Sequence, residues 1–102
     1  MADKAFTSSR VLYNLDSGYS IANYSVLYFV YTENGYIKRT ITIPKSAFTA
    51  NSNGISEYSY TGSKNVEIDI SYYNATAVYL QYATSATLTN PKMAVYGLRK
   101  TW

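Results

Sequence analysis

The stretch Asn65 to Tyr73, "NVEIDISYY", holds the one close pair of carboxylates on a single strand face, Glu67 and Asp69. At i, i+2 on a strand they stand about 7 Å apart. That separation suits the two acids of a glycosidase or two oxygen ligands of a calcium ion. Val66, Ile68 and Ile70 alternate with Glu67, Asp69 and Ser71, so the plainer reading is the solvated outer face of a half-buried strand. The rest of the inventory argues against catalysis. The chain has no His and no Cys, which removes the commonest general base, the thiol nucleophile and the usual zinc ligands. The remaining carboxylates, Asp3, Asp16, Glu33 and Glu57, are scattered, and no phosphate loop, dinucleotide fingerprint or EF-hand pattern occurs. The expectation is a protein that is not an enzyme, with no metal and no cofactor.

Binding chemistry is better represented, because 13 of the residues are Tyr. Tyr58 and Tyr60 share one face of "SEYSY", and "SYYNAT" sets Tyr72 and Tyr73 at a strand end beside the polar Asn74 to Thr76. Tyrosine offers flat apolar area plus a hydroxyl at low entropic cost, which suits stacking on sugar rings or packing against a protein. These four are the candidate ligand-binding residues; the competing reading is that they plug the ends of a small core with their hydroxyls in water. The glycosylation patterns "NYS" at Asn23 and "NAT" at Asn74 are taken as chance in a sequence with no secretion signal.

The elements that position these residues are strands. Val, Ile, Thr and Tyr recur with period two and are punctuated by "DSG", "NG", "NSNG", "GSKN" and "TNP". The pattern predicts strands over Ser9–Asn14, Tyr24–Thr32, Tyr36–Ile43, Ile55–Tyr60, Asn65–Tyr73, Thr76–Ala83 and Lys92–Leu98, with short ones near Ser20 and Thr87 and no helix. About seven to eight short antiparallel strands in 102 residues imply an all-β fold, a single small β-sandwich or jelly-roll-like barrel. Residues 1–102 form one domain, with 1–6 as an N-terminal docking arm.

A domain of this size buries only about 60 to 65% of its unfolded surface. With no Cys there is no disulfide, and oligomerisation is the remaining source of buried area. Hydrophobic residues make up 47% and charged ones 15%, an adhesive composition. The strand "YSVLYFVYT" sharpens the point, since it is apolar on both faces. Across a two-residue Asn34-Gly35 turn, Val26, Tyr28 and Val30 would meet Ile43, Ile41 and Arg39. Leu27, Phe29 and Tyr31 would then meet Thr42, Thr40 and Lys38. A three-residue turn slips the register by one and exchanges the partners. Either way one face is aliphatic and the other sets three apolar side chains against Thr, Thr and Lys. That second face is covered either by the chain itself, through the Met1–Phe6 arm or the Lys45–Gly54 loop, or by a second subunit. Leu27, Tyr28, Phe29, Tyr31 and the terminal Trp102 are the candidate interface residues.

Nine Lys and Arg against six Asp and Glu give a net charge of +3, modest and scattered, so neither nucleic acid nor a membrane is an expected partner. "MADKAFTSSR" has no apolar core of signal-peptide length, and no run approaches the ~18 apolar residues of a membrane span.

The run "SGYSIANYSVLYFVYTENGYIKRTITIP", followed after two more β segments by "MAVYGLRK", resembles the small β-domains at the ends of bacteriophage tail fibres and related virion proteins. In those, a polar "SxxNY" lead enters an apolar strand, a turn and a strand ending "IP", and a last strand carries a "VYG" step. The resemblance spans Ser17 to Lys100. It implies a non-catalytic module, typically trimeric, displayed on the virion for host attachment or as an accessory coat component and assembled in the bacterial host cytoplasm. Its implied partners are copies of itself, other virion proteins and a bacterial surface glycan. Tail-fibre domains sit at the end of a long shaft, whereas this sequence opens at Met1 with "ADKAF". The expectation is therefore an independent small virion protein of the capsid-decoration or tail-accessory type, or a module cut from a longer one. The alternative function is a free-standing carbohydrate-binding, lectin-like module.

Overall fold

The computed structural model describes residues 1–50, 54–61 and 64–99. Eight strands form two four-stranded antiparallel sheets packed as a sandwich. β1 (Lys4–Ala5), β8 (Lys92–Leu98), β3 (Val26–Glu33) and β4 (Tyr36–Pro44) lie side by side in the first sheet. β2 (Val11–Asn14), β7 (Ala77–Ala83), β6 (Lys64–Asn74) and β5 (Ile55–Thr61) make up the second. The pairing is nested at the chain's outer strands, β1 with β8 and β2 with β7, while β3–β4 and β5–β6–β7 are hairpins.

The β3–β4 turn takes the two-residue form, with Glu33 opposite Tyr36. Asn34 and Gly35 adopt φ of 53° and 81°, the left-handed pair whose twist matches that of the strands. A bulge then breaks the register between Tyr31 and Thr32, so that Leu27, Phe29 and Tyr31 pair with Ile43, Ile41 and Arg39. A tight turn plus a bulge thus gives the pairing expected of a three-residue turn. Lys38 falls at the bulge and drops out of the face; Val26, Tyr28 and Val30 stand opposite Pro44, Thr42 and Thr40.

Side chains follow the pleat. Leu27, Phe29, Tyr31 and Ile41 meet Met93 and Val95 of β8 on the inner face and pack onto Val66, Ile68, Ile70, Val78 and Leu80 of the second sheet. Each fully buried aliphatic or aromatic side chain contributes about 1.5–3 kcal/mol. Leu27, Phe29 and Tyr31 are therefore intramolecular core, a correction to their expected place at a subunit interface. The face of β3 that points away from the core is Val26, Tyr28 and Val30.

Two aromatic plugs close the sandwich. Phe6, just after β1, sets its ring edge-on to Tyr31 at 5.8 Å and to Tyr82 at 5.3 Å. Phe48 comes from a six-residue helix, α1 (Lys45–Ala50), and packs on Phe29 and Tyr72. This helix was not expected: six residues are too few for a 3.6-residue period to show, and its one large apolar side chain is drawn into the core. Near Ser20 a short 3-10 turn, Ile21–Asn23, replaces the expected strand, with the Ser20 hydroxyl accepting from the Ala22 amide. The residues around Thr87 are not strand, while β1 lies outside every expected strand. The Met1–Phe6 segment lies along the edge of β8, where the Val95 amide donates to the Met1 carbonyl at 3.1 Å.

A buried carboxylate helps to join the sheets at the turn end. Glu33, buried, accepts from the Lys64 ammonium at 2.6 Å and from the Thr89 amide at 3.0 Å. It ties the end of β3 to the start of β6 and to the β7–β8 connection.

Candidate binding surfaces

The outward face of the first sheet is set by three strands in register. Its rows read Pro44–Val26–Leu98, Thr42–Tyr28–Tyr96, Thr40–Val30–Ala94 and, past the bulge, Ile37–Thr32–Lys92. Lys92 carries the only charge in these rows. Tyr96, Leu98 and Ile37 are 52%, 54% and 67% exposed, and the Tyr28 and Tyr96 rings lie 6.4 Å apart. Part of this face is closed within the chain, with Val30, Thr32 and Ala94 buried; the Met1–Phe6 arm lies edge-on to β8, and the Lys45–Ala50 helix sends Phe48 inward. Trp102 lies outside the described residues.

At the end of the sandwich beside Leu98, a concavity of about 390 Å³ adjoins this face and shares Tyr96 with it. Tyr19 and Tyr24 line it, with Leu15, Ile21 and Leu27 deeper. Tyr24 lies on Gly97, where an added Cβ would run into the ring, so only glycine permits this closure. The Arg99 guanidinium sits over the same ring at 5.3 Å.

The outward face of the second sheet is chemically different. Ser56, Asp69 and Gln81 form one cross-strand row; Tyr58, Glu67 and Ala83 form the next; Ser71 and Tyr79 flank the first on its other side. Arg10, from the loop before β2, reaches over this sheet: its guanidinium lies 3.8 Å from the centre of the Tyr79 ring and donates to Ser71 Oγ at 3.3 Å. The Ser56 hydroxyl donates to Asp69, and the Gln81 amide nitrogen donates to the Ser8 carbonyl at 2.9 Å. A polar groove of about 470 Å³ runs between these side chains.

Of the four tyrosines singled out from sequence, three are on this face. Tyr58 and Tyr60 form an exposed parallel pair at 6.1 Å, and Tyr73 stands edge-on to Tyr79 at 5.4 Å. Tyr72 points the other way, against Phe48. Glu67 and Asp69 each accept a hydroxyl hydrogen bond from β5, Tyr58 to Glu67 at 3.0 Å and Ser56 to Asp69. The hydrogen bond to Glu67 and that carboxylate's charge push the Tyr58 phenol above its ordinary value. Sequence reasoning missed Arg10, Tyr79 and Gln81. The alternation of "VYLQY" signals an outward Tyr79 and Gln81, but nothing local links them to Arg10, about seventy residues earlier.

No protein-family model matches the chain, and no curated protein or solved structure matches it.

Proposed function

We propose that the protein is a non-enzymatic structural module that assembles with copies of itself through the outward face of the first sheet and is carried on a bacteriophage particle. The observation that carries the self-association is the pair of rows through Val26, Tyr28, Tyr96 and Leu98, apolar and bordered by Pro44 and Thr42, with Val30, Thr32 and Ala94 beyond them already buried within the chain. A face with almost no charge meets a copy of itself without like-charge repulsion, and its mix of aromatic, aliphatic and Thr side chains is that of interface cores. At four rows about 6.7 Å apart and three strands about 4.8 Å apart, the face measures roughly 20 Å by 10 Å between its outermost positions. That is well short of the ~800 Å² per partner of a standard interface. Three such faces packed around a three-fold axis give each chain two neighbours instead of one, and a trimer, the state that the tail-fibre resemblance implies, is the one proposed.

The virion assignment rests on the "SxxNY", "TITIP" and "VYG" steps, with no His or Cys to argue for an enzyme. Antibodies to the chain should label purified phage particles from its source, at a copy number that is a multiple of the ring. Purified particles that carry none of the chain would overturn the virion reading.

A further inference from the structure

We infer that the groove on the outward face of the second sheet binds a neutral carbohydrate, an oligosaccharide of uncharged hexoses lying across Arg10, Gln81, Asp69 and Ser56 and stacking on the Tyr58–Tyr60 pair. A sugar hydroxyl both donates and accepts, so a sugar site needs both kinds of partner closely spaced. The groove supplies them in one cross-strand row: a carboxylate acceptor on Asp69, an amide on Gln81 and a hydroxyl on Ser56, with the guanidinium of Arg10 beside it.

The groups are held before any ligand arrives. Arg10 is pinned flat on Tyr79 and bonded to Ser71, which leaves most of its five N–H donors for other partners. Gln81 is fixed through its nitrogen to the Ser8 carbonyl, which turns its oxygen to the role of acceptor. Asp69 is oriented by Ser56, and Tyr58 by Glu67. Fixing side chains in advance lowers the ordering cost of binding.

Charge selects among sugars. Within the groove one cation, Arg10, offsets one anion, Asp69, and Glu67 adds a second carboxylate on its flank; uronic and sialic acids are thereby disfavoured. Shape supplies the rest. Tyr60, stacked on Tyr58 with the two planes inclined by only 20° and itself 73% exposed, offers a ring face to the C–H face of a pyranose. The Tyr79 and Tyr58 rows are about 13 Å apart, four residues at ~3.3 Å along β6, so the site takes an oligosaccharide and not a single sugar. The groove lies on the opposite sheet from the self-association face, so it does not depend on the assembly; a ring would only multiply weak contacts.

The test uses the full chain on an array of neutral gluco-, galacto- and manno-oligosaccharides beside sialylated and uronic-acid glycans. The best neutral hit is then titrated into isotope-labelled protein by NMR. The expected result is binding to a neutral oligosaccharide with the largest shifts at Arg10, Ser56, Asp69 and Gln81. Asp69→Asn and Tyr60→Ala, both at surface positions, should weaken it tenfold or more while leaving the melting temperature near that of the parent. Tyr96→Asp, on the other sheet, should leave the affinity per chain unchanged, which separates this site from the assembly. An array blank for neutral glycans even when the protein is clustered, binding confined to acidic glycans, shifts mapping outside the groove, or a folded Asp69→Asn that binds as before would each overturn the assignment.

Discussion

At the scale of single residues, two buried polar groups near the β3 turn do opposite things. The Tyr31 hydroxyl is buried without a hydrogen-bond partner among the described residues. Burial first, then the nearby Glu33 and Tyr82, push its phenol up to about 12. An unpaired buried hydroxyl costs free energy, so Tyr31→Phe should leave stability within about 1 kcal/mol of the parent or raise it in a thermal melt. A raised phenol value means a contribution that is complete below the unfolded value of 10.0 and lost as pH climbs through about 12. The variant should lack that alkaline loss. Glu33 is the reverse case. The Lys64 hydrogen bond, and then the Thr89 amide, hold its carboxyl below the ordinary value of 4.5. Its contribution is present in full above that value and disappears as pH falls through the depressed one. Glu33→Gln should cost about 1–2 kcal/mol at neutral pH and flatten the acid limb of the stability profile. Gly97→Ala should displace the Tyr24 ring and destabilise by about 1–3 kcal/mol, measured by denaturant titration.

At the scale of elements, period-two alternation made most strands legible. "KMAVYGL" matches β8 from end to end, and β5, β6 and β7 agree with expectation to within a residue at each end. Three features were not legible, each for a physical reason. The α1 helix is one and a half turns held by tertiary contact of Phe48. β1 is a pair of residues whose pairing with β8 is set by Phe6 reaching the core. The bulge after Tyr31 leaves no mark in composition, yet it decides which residues of β4 stand beside each face of β3. The pleat of β3 separates two neighbours in sequence. Phe29→Ser should cost about 4 kcal/mol and abolish cooperative unfolding at room temperature. Tyr28→Ser should keep the circular dichroism of the fold while shifting the assembly toward smaller species. The edges point to the face as the adhesive element: β4 is blunted by its bulge, by Lys38 and Arg39, by Pro44, and by the Arg39–Glu57 pair at 2.9 Å.

At the scale of the molecule, the two sheets present different surfaces. The inner faces make one core; the outward face of the first sheet carries few charges and is the one proposed to meet a copy of the chain, and that of the second is a polar groove between aromatic pairs. The candidate site was partly legible: three of four chosen tyrosines stand on the second face, while Arg10 joins them only through the pairing of β2 with β7. If copies meet through Val26, Tyr28, Tyr96 and Leu98, sedimentation velocity of the parent chain and of Tyr96→Asp across the micromolar range will show it. A parent that sediments as a multiple of the single chain, with a folded Tyr96→Asp that sediments as a monomer, is the predicted outcome. A parent that stays monomeric throughout that range, or a Tyr96→Asp assembly indistinguishable from it, would contradict the claim.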